Sequence, residues 1–327
     1  MGNILYAHQE VAVGNILYIV VPCYKEEEVL PETARRLKEK MNALIQSGKI
    51  SPESRIAFVN DGSSDNTWEI IKSLHEQDNL FSGINLSRNR GHQNALLGGL
   101  MTVMDFADIT ISMDADLQDD INAVDKMLDK YFEGNDIVYG VRNARDTDTF
   151  FKKTTAECFY KLMEMLGAKI VFNHADYRLM SRRALKGLAE FKEVNLFLRG
   201  MVPMVGYKSD TVEYARGERF AGESKYPLKK MLAFAFEGVT SLSIGPIRFI
   251  TALGAFISII NIVLLFVFIF SRFTSNMLPE WIGIFISIWA IGGLQLLCLG
   301  IIGEYIGKVY LETKARPKFI IEEFLNK

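Results

Sequence analysis

The sequence predicts an α/β protein, a mostly parallel sheet with helices on both faces, followed by two transmembrane helices. Three observations carry this expectation. Short apolar runs rich in β-branched residues alternate with charged stretches of helical spacing as far as about residue 140. Polar residues close each of those runs. Beyond them, Phe249–Phe270 and Trp281–Gly303 hold no charged residue over 22 and 23 positions, where about 20 apolar residues suffice to cross a bilayer.

The first fifteen residues carry no pattern. Ile16–Tyr24 (ILYIVVPCY) is continuously apolar, as expected of a strand buried on both faces. Glu26–Ile45 follows as a helix, with Leu30, Leu37, Met41, Leu44 and Ile45 at helical spacing. Arg55–Asn60 is the second strand, and Asp61-Gly62-Ser63-Ser64-Asp65 supplies the turn before a helix over Thr67–His75. Gly83–Leu86 reads as a strand, Asn94–Phe106 as a helix, Asp108–Met113 and Asp136–Gly140 as strands. Right-handed crossovers then make the sheet mostly parallel, with the residues that close its strands gathered along one carboxyl edge, where ligands bind. Pro22, Tyr24, Asp61 and Asp114 stand at that edge.

The expected division is a catalytic domain over 1–225, an amphipathic segment over 226–244, spans over 245–272 and 279–303, and a tail over 304–327. The amphipathic segment, basic at its start and apolar beyond, reads equally as a helix on a membrane surface or as a packing helix of the soluble part. Lys225, Lys229, Lys230 and Arg248 flank the first span, and Lys308, Lys314, Arg316 and Lys318 the second. The positive-inside rule places both ends in the cytoplasm. Pro317–Ile321 could pair as a strand between subunits, which would make a homo-oligomer.

Composition excludes several classes. The 37 basic residues are balanced by 39 acidic ones, so no global positive field argues for nucleic acid. Cys23, Cys158 and Cys298 are too few and too scattered for a disulfide framework, and the four histidines make no metal site. No signal-peptide pattern stands at the N-terminus. Neither a Gly-x-Gly-x-x-Gly after the first strand nor a P-loop occurs, which disfavours dinucleotide cofactors and P-loop ATP use.

Asp114 and Asp116 form the sharpest local signal. On an extended chain residues i and i+2 share a side, so two carboxylates could converge on one Mg²⁺ or Mn²⁺ that bridges a diphosphate, with Gln118 adding an oxygen. Asp119 and Asp120 are expected to be solvated. Asp61 could accept from a base imide or ribose hydroxyl, Tyr24 face a base and Glu26 a ribose, while Asp65 braces the helix start.

Taken in order, VPCYKEEE, VNDGSSDNT, SRNRGHQNAL, DADLQDD, VYGVR, DYRLMSRRA, RGMVPMVGYK and ERFAGESKYPL resemble glycosyltransferase family 2 over Ile16 to about Tyr226. With two spans behind that stretch, the chain is most similar to the polyprenyl-phosphate glycosyltransferases, the dolichyl-phosphate-mannose synthase group and the bactoprenol glucosyltransferases. The resemblance implies a GT-A, Rossmann-like fold and inverting transfer of a hexose from a UDP-sugar to undecaprenyl phosphate, for cell-envelope glycosylation at the bacterial plasma membrane. Glucose is favoured over UDP-N-acetylglucosamine or GDP-mannose as donor. It implies that Pro22, Tyr24, Glu26 and Asp61 line the nucleoside pocket. Asp114 and Ala115 would lie along the nucleotide sugar, and Asp116 and Gln118, with Asp114, on the metal. Arg142 would face the donor phosphates or reacting sugar, Arg219 and Lys225 would close over the diphosphate, and Lys152, Lys153 and Thr155 would meet the acceptor phosphate. Catalysis is therefore expected of Asp114, Asp116, Arg142, Arg219 and Lys225. Asp120-Ile121-Asn122 departs from the prolines and Glu usual after this motif, and SRNRGHQNAL varies within the family, so sugar choice could reside there. A processive polysaccharide synthase normally carries Gln-x-x-Arg-Trp and further spans, which this chain lacks. A non-catalytic membrane anchor, and transfer to a protein or small-molecule acceptor, are the remaining rivals.

Overall fold

A computed structural model describes residues 14–142, 174–215, 217 and 280–326, with single positions at 247, 250, 254, 256 and 263. The amphipathic segment, nearly all of the first expected span, and Lys152, Lys153, Thr155, Arg219 and Lys225 lie outside the described residues.

Eight strands form one sheet: β1 (Leu17–Cys23), β2 (Arg55–Asn60), β3 (Phe81–Leu86), β4 (Ile109–Ser112), β5 (Ile137–Arg142), β6 (His174–Ser181), β7 (Ser209–Tyr214) and β8 (Ile321–Leu325). Their order is β7-β5-β6-β4-β1-β2-β3-β8. Six of the eight strands run the same way, in keeping with a mostly parallel sheet, and two are reversed. Four pairs are parallel (β1–β2, β1–β4, β2–β3, β5–β7), but β6 runs antiparallel between β4 and β5, and β8 runs antiparallel to β3. Because β6 is reversed, its first residues reach the edge where β1, β2, β4, β5 and β7 end.

The helices cover both faces, as expected. β1 shows why: Leu17, Ile19, Val21 and Cys23 enter one core cluster, and Tyr18 and Val20 the other, following the two-residue period of a strand. Helix α1 (Leu30–Gln46) buries Leu30, Ala34, Leu37, Met41 and Leu44 on the first face, beside α2 (Thr67–Gln77) and α4 (Ala123–Phe132). On the second face lie α3 (His92–Val103), α5 (Arg182–Ala189) and α6 (Leu198–Met204). Gly99 lets α3 come close to the sheet, since a Cβ there would stand 2.5 Å from Val59 and 2.7 Å from Val20. Pro22 sits inside β1, where the ladder to β4 has already ended at Val20 and no ring N–H is called for.

Helix α7 (Glu280–Lys314) belongs to a second compact unit, whereas β8 belongs to the first. Among the described residues no helix is long and apolar enough to cross a membrane, so the structure does not support the two expected spans. The second of them falls within α7, only part of whose side chains are described. The strand pairing expected between subunits is also corrected: Ile321–Leu325 pairs with β3 of the same chain. Asn326 then locks that edge, its Oδ1 accepting from Tyr18 (3.1 Å) and Ser82 (2.9 Å).

Candidate active site

The loops that leave β1 and β2 are laced together. Asp61 N–H donates to the Cys23 carbonyl (2.9 Å), Lys25 N–H to Ser63 Oγ (3.1 Å) and Glu26 N–H to Thr67 Oγ1 (3.0 Å). Lys25 stands at φ 57°, a left-handed conformation that costs a non-glycine residue about 1 kcal/mol. Tyr24 beside it is 44% exposed and available to a ligand; Pro22 is buried. Asp65 braces α2 as expected, accepting from Thr67 N–H (3.2 Å) and Oγ1 (2.7 Å). Burial works against its charge, but these bonds prevail and hold its carboxyl below the usual range.

Asp61 is buried, and its two oxygens accept from the amides of Arg90 (2.6 Å) and Gly91 (2.9 Å). It therefore fixes the entry to α3, a role the sequence reading missed. Burial lifts its carboxyl above the ordinary value against the pull of those amides. Gly62, at φ 60°, lies so close to the next loop that a Cβ would meet Asn89 N at 2.5 Å.

β4 ends at Ser112, so Asp114 and Asp116 stand in the following turn, and the two-residue parity argued for an extended chain does not reach them. Asp116 Oδ1 accepts from Gln118 N–H (3.2 Å), and Leu117 between them adopts φ 58°. Ala115 is buried, its carbonyl accepting from Thr33 (2.8 Å). Gln118 meets Gly217, which donates to its carbonyl (2.8 Å) and accepts from its Nε2 (3.5 Å).

Asp119 overturns the expectation that it is solvated: it is 3% exposed. Its Oδ1 accepts from the Tyr214 hydroxyl at 2.5 Å, and that hydroxyl accepts from Arg142 Nε at 3.1 Å. Arg142 Nη2 is itself 3.6 Å from Asp119. Burial, then the charge of Asp114, push the Asp119 carboxyl up to about 6. Its Oδ2 is buried and has no hydrogen-bond partner among the described residues. Arg142 thus reaches the strand-end edge held by a tyrosine and a carboxylate.

A second cluster comes from the reversed strand β6. Asp176 accepts from Arg178 Nη2 (2.6 Å) and from Arg199 Nε (3.3 Å) and Nη2 (3.0 Å). Burial raises its carboxyl, but the charges of Arg199 and Arg178 outweigh it and hold it far below the usual range. His92, the first residue of α3, places Nε2 3.6 Å from Asp114 Oδ1 and 3.7 Å from Asp176 Oδ2. Three strand ends, the start of β6 and the start of α3 so converge on one crevice. The sequence held a signal for part of this: Asp176 and Arg178 share a strand parity with buried Met180, which is unusual for charges unless they are paired. A groove elsewhere, lined by Arg182, Arg183, Lys186 and Tyr207, lies at the opposite edge of the sheet, where Arg183 is engaged by Asp136 and Tyr207 and Arg182 by Asp108.

Residues 18–188 match the family model described as glycosyl transferase family 2. The chain belongs to that family. It is 50% identical over 307 residues to YkoT of Bacillus subtilis (strain 168), an uncharacterized glycosyltransferase, covering 94% of this chain and 91% of the other. It is 38% identical over 310 residues to the bactoprenol glucosyl transferase of Shigella phage SfX, covering 93% and 98%. Among solved structures, glucosyl-3-phosphoglycerate synthase of Mycobacterium tuberculosis, in complex with Mn²⁺, UDP-glucose and phosphoglyceric acid, aligns at 16% identity and TM-score 0.45 over 71% of this chain and 80% of that one. The crevice just described is the candidate active site of a glycosyltransferase, and the α/β sheet with helices on both faces fits the GT-A-type arrangement expected for it.

Proposed function

We propose that this glycosyltransferase moves a hexose, glucose before N-acetylglucosamine or mannose, from a nucleotide diphosphate, UDP by preference, to a polyprenyl phosphate with inversion at C1. The observation that carries the reading is near-full-length similarity to bactoprenol glucosyl transferases, joined to an acidic turn at the carboxyl edge with two arginines fixed beside it.

The donor set suits a divalent cation. Asp114, Asp116 and Gln118 offer hard oxygen donors in one turn, and the buried Asp119 Oδ2 adds unsatisfied negative potential behind them. When bound there, Mg²⁺ or Mn²⁺ would neutralise charge building on the departing diphosphate. The chain's own residues do the rest. Arg142, pinned by Tyr214 and Asp119, is preorganised to stabilise anionic oxygen without rearranging. Tyr24 is exposed at the strand-end edge with Lys25 Nζ 5.6 Å from its ring centroid, so a base would stack there beside a cation, and the laced loops hold that position. Arg219, Lys225, Lys152, Lys153 and Thr155 enter this proposal through the family resemblance alone. A phosphate monoester has a second pKa of about 6, so the acceptor is already ionised at pH 7 and needs no general base. Positioning two anions is the main task, and cationic side chains meet it.

Membrane attachment, with the catalytic part cytoplasmic, belongs to the same proposal. It is supported by the 22- and 23-residue charge-free runs and their basic flanks. Trp281, Ile284, Ile288, Leu299 and Ile306 also stand exposed on α7, as they would on a helix surrounded by lipid.

A transfer assay on detergent-purified chain tests the reading. Undecaprenyl phosphate is offered with UDP-glucose, UDP-N-acetylglucosamine or GDP-mannose in separate reactions with Mn²⁺. A lipid-linked sugar that disappears on adding EDTA is expected. Sugar transfer without any need for lipid phosphate would overturn the acceptor, and failure to bind any nucleotide would overturn the donor.

A further inference from the structure

We infer that His92 is a specificity-determining residue of the donor site: together with Asp114 it takes a hydroxyl of the transferred hexose, while Asp176 sets where the imidazole stands. The inference rests on the donor reading above and names what that site reads.

The spacing comes first. His92 Nε2 lies 3.6 Å from Asp114 Oδ1 and 3.7 Å from Asp176 Oδ2, both just beyond hydrogen-bond length. A ligand oxygen entering between the imidazole and Asp114 can stand within about 2.8 Å of each. A hydroxyl satisfies both at once because it donates to the carboxylate and accepts from an Nε2–H, and it can reverse roles in the other tautomer.

Charge excludes the alternatives. A phosphate oxygen placed between the imidazole and Asp114 would face the Asp114 carboxylate, which repels it. A cation between His92 and Asp176 is disfavoured too, because Asp176 already accepts from Arg178 and Arg199. An uncharged polyol is the ligand class this corner suits.

Access and rigidity complete the argument. The His92 and Asp114 side chains are 40% and 32% exposed, against 12% for Asp176, so the first two face the crevice and the third anchors. His92 opens α3, whose entry Asp61 fixes through the Arg90 and Gly91 amides. The neighbouring Gln93 side-chain carbonyl accepts from Leu198 N–H at 2.8 Å and ties α3 to α6. A selecting group on so fixed an element discriminates well.

The test measures Kd by calorimetry for UDP, UDP-glucose and UDP-N-acetylglucosamine with Mn²⁺, using full-length wild type, His92→Ala and His92→Gln. UDP should bind His92→Ala within about twofold of wild type, because UDP lacks the sugar. Binding of the UDP-sugar that wild type accepts should weaken about tenfold, the equivalent of one hydrogen bond involving a charged group. His92→Gln, which keeps an N–H donor, should recover most of that loss. An unchanged ratio of sugar-nucleotide to UDP affinity in His92→Ala overturns the inference while leaving the donor reading intact. Equal weakening of UDP and UDP-sugar assigns His92 a structural role and overturns it too. Absence of UDP and UDP-sugar binding in wild type overturns the donor reading, and this inference with it.

Discussion

Tyr214→Phe removes one hydroxyl and tests how the site holds its arginine. That hydroxyl donates to Asp119 at 2.5 Å and accepts from Arg142 at 3.1 Å. A hydrogen bond to a charged group contributes about 1.5–3 kcal/mol. The Asp119 bond lies at the upper end, because that carboxylate is 3% exposed and its other oxygen has no hydrogen-bond partner among the described residues. Arg142 can recover part of its loss from water. The expected destabilisation is therefore about 3 kcal/mol at pH 8. The pH dependence sharpens the test. Asp119 titrates at about 6 when folded, raised by burial and by Asp114, against about 4 when unfolded. A raised carboxyl contributes stability that is present below pH 4 and lost as pH rises through 6. At pH 5 Asp119 is mostly protonated, so the Tyr214→Phe penalty should shrink to about 1 kcal/mol. Chemical denaturation of metal-free full-length protein, followed by near-UV circular dichroism of the catalytic unit, measures both values. A penalty below about 0.5 kcal/mol at pH 8, or one equal at the two pH values, would refute the arrangement.

Gly62→Ala should cost about 2–3 kcal/mol in the same assay, since it places a Cβ 2.5 Å from Asn89 N at a φ of 60°. Asp116→Ala should abolish transfer and leave the melting temperature within about 2 °C of wild type, because a turn carboxylate contributes little core packing; unchanged turnover would sink its assignment to the metal. Asn326→Ala removes the shared acceptor of Tyr18 and Ser82 and should destabilise the β3 edge by about 1–2 kcal/mol, read as faster amide exchange in β3 and β8.

The first half of the sheet was legible because its strands are buried on both faces and read as unbroken apolar runs. The sequence places β2 at Arg55–Asn60, which is where the strand runs. β6 is harder to read: HADYRLMS carries charges at 176 and 178 that look like a surface segment, and their burial becomes tolerable through the ion pair they form with each other and through the facing Arg199. β7 (SDTVEY) and β8 (IEEFL) are edge strands whose outward charges mask the alternation. In the site, polar residues at strand ends could be named, but not which hydrogen bonds they had already committed. The strand-end place of Asp61 points to a nucleoside but does not reveal that its oxygens also accept from the Arg90 and Gly91 amides; the sequence leaves Asp119 to solvent, whereas it is buried and holds Tyr214. Both contacts depend on residues at least 29 positions away, a distance that no local pattern spans.

The position of β8 also bears on how the molecule is made. Its ladder joins Leu86 to Ile321, so β3 is translated about 235 residues before its partner exists. At roughly 5–20 residues per second, that edge waits on the order of 10–50 s. During that interval the ribosome has already delivered the charge-free segments. The hydrogen bonds that Asn326 accepts from Tyr18 and Ser82 likewise form only after the other seven strands have been made. Nascent chains arrested before Pro317 should accordingly expose β3 to protease. A part of the sheet that is made early is thus completed by residues made about 235 positions later, and a chain arrested short of β8 carries an open, adhesive sheet edge.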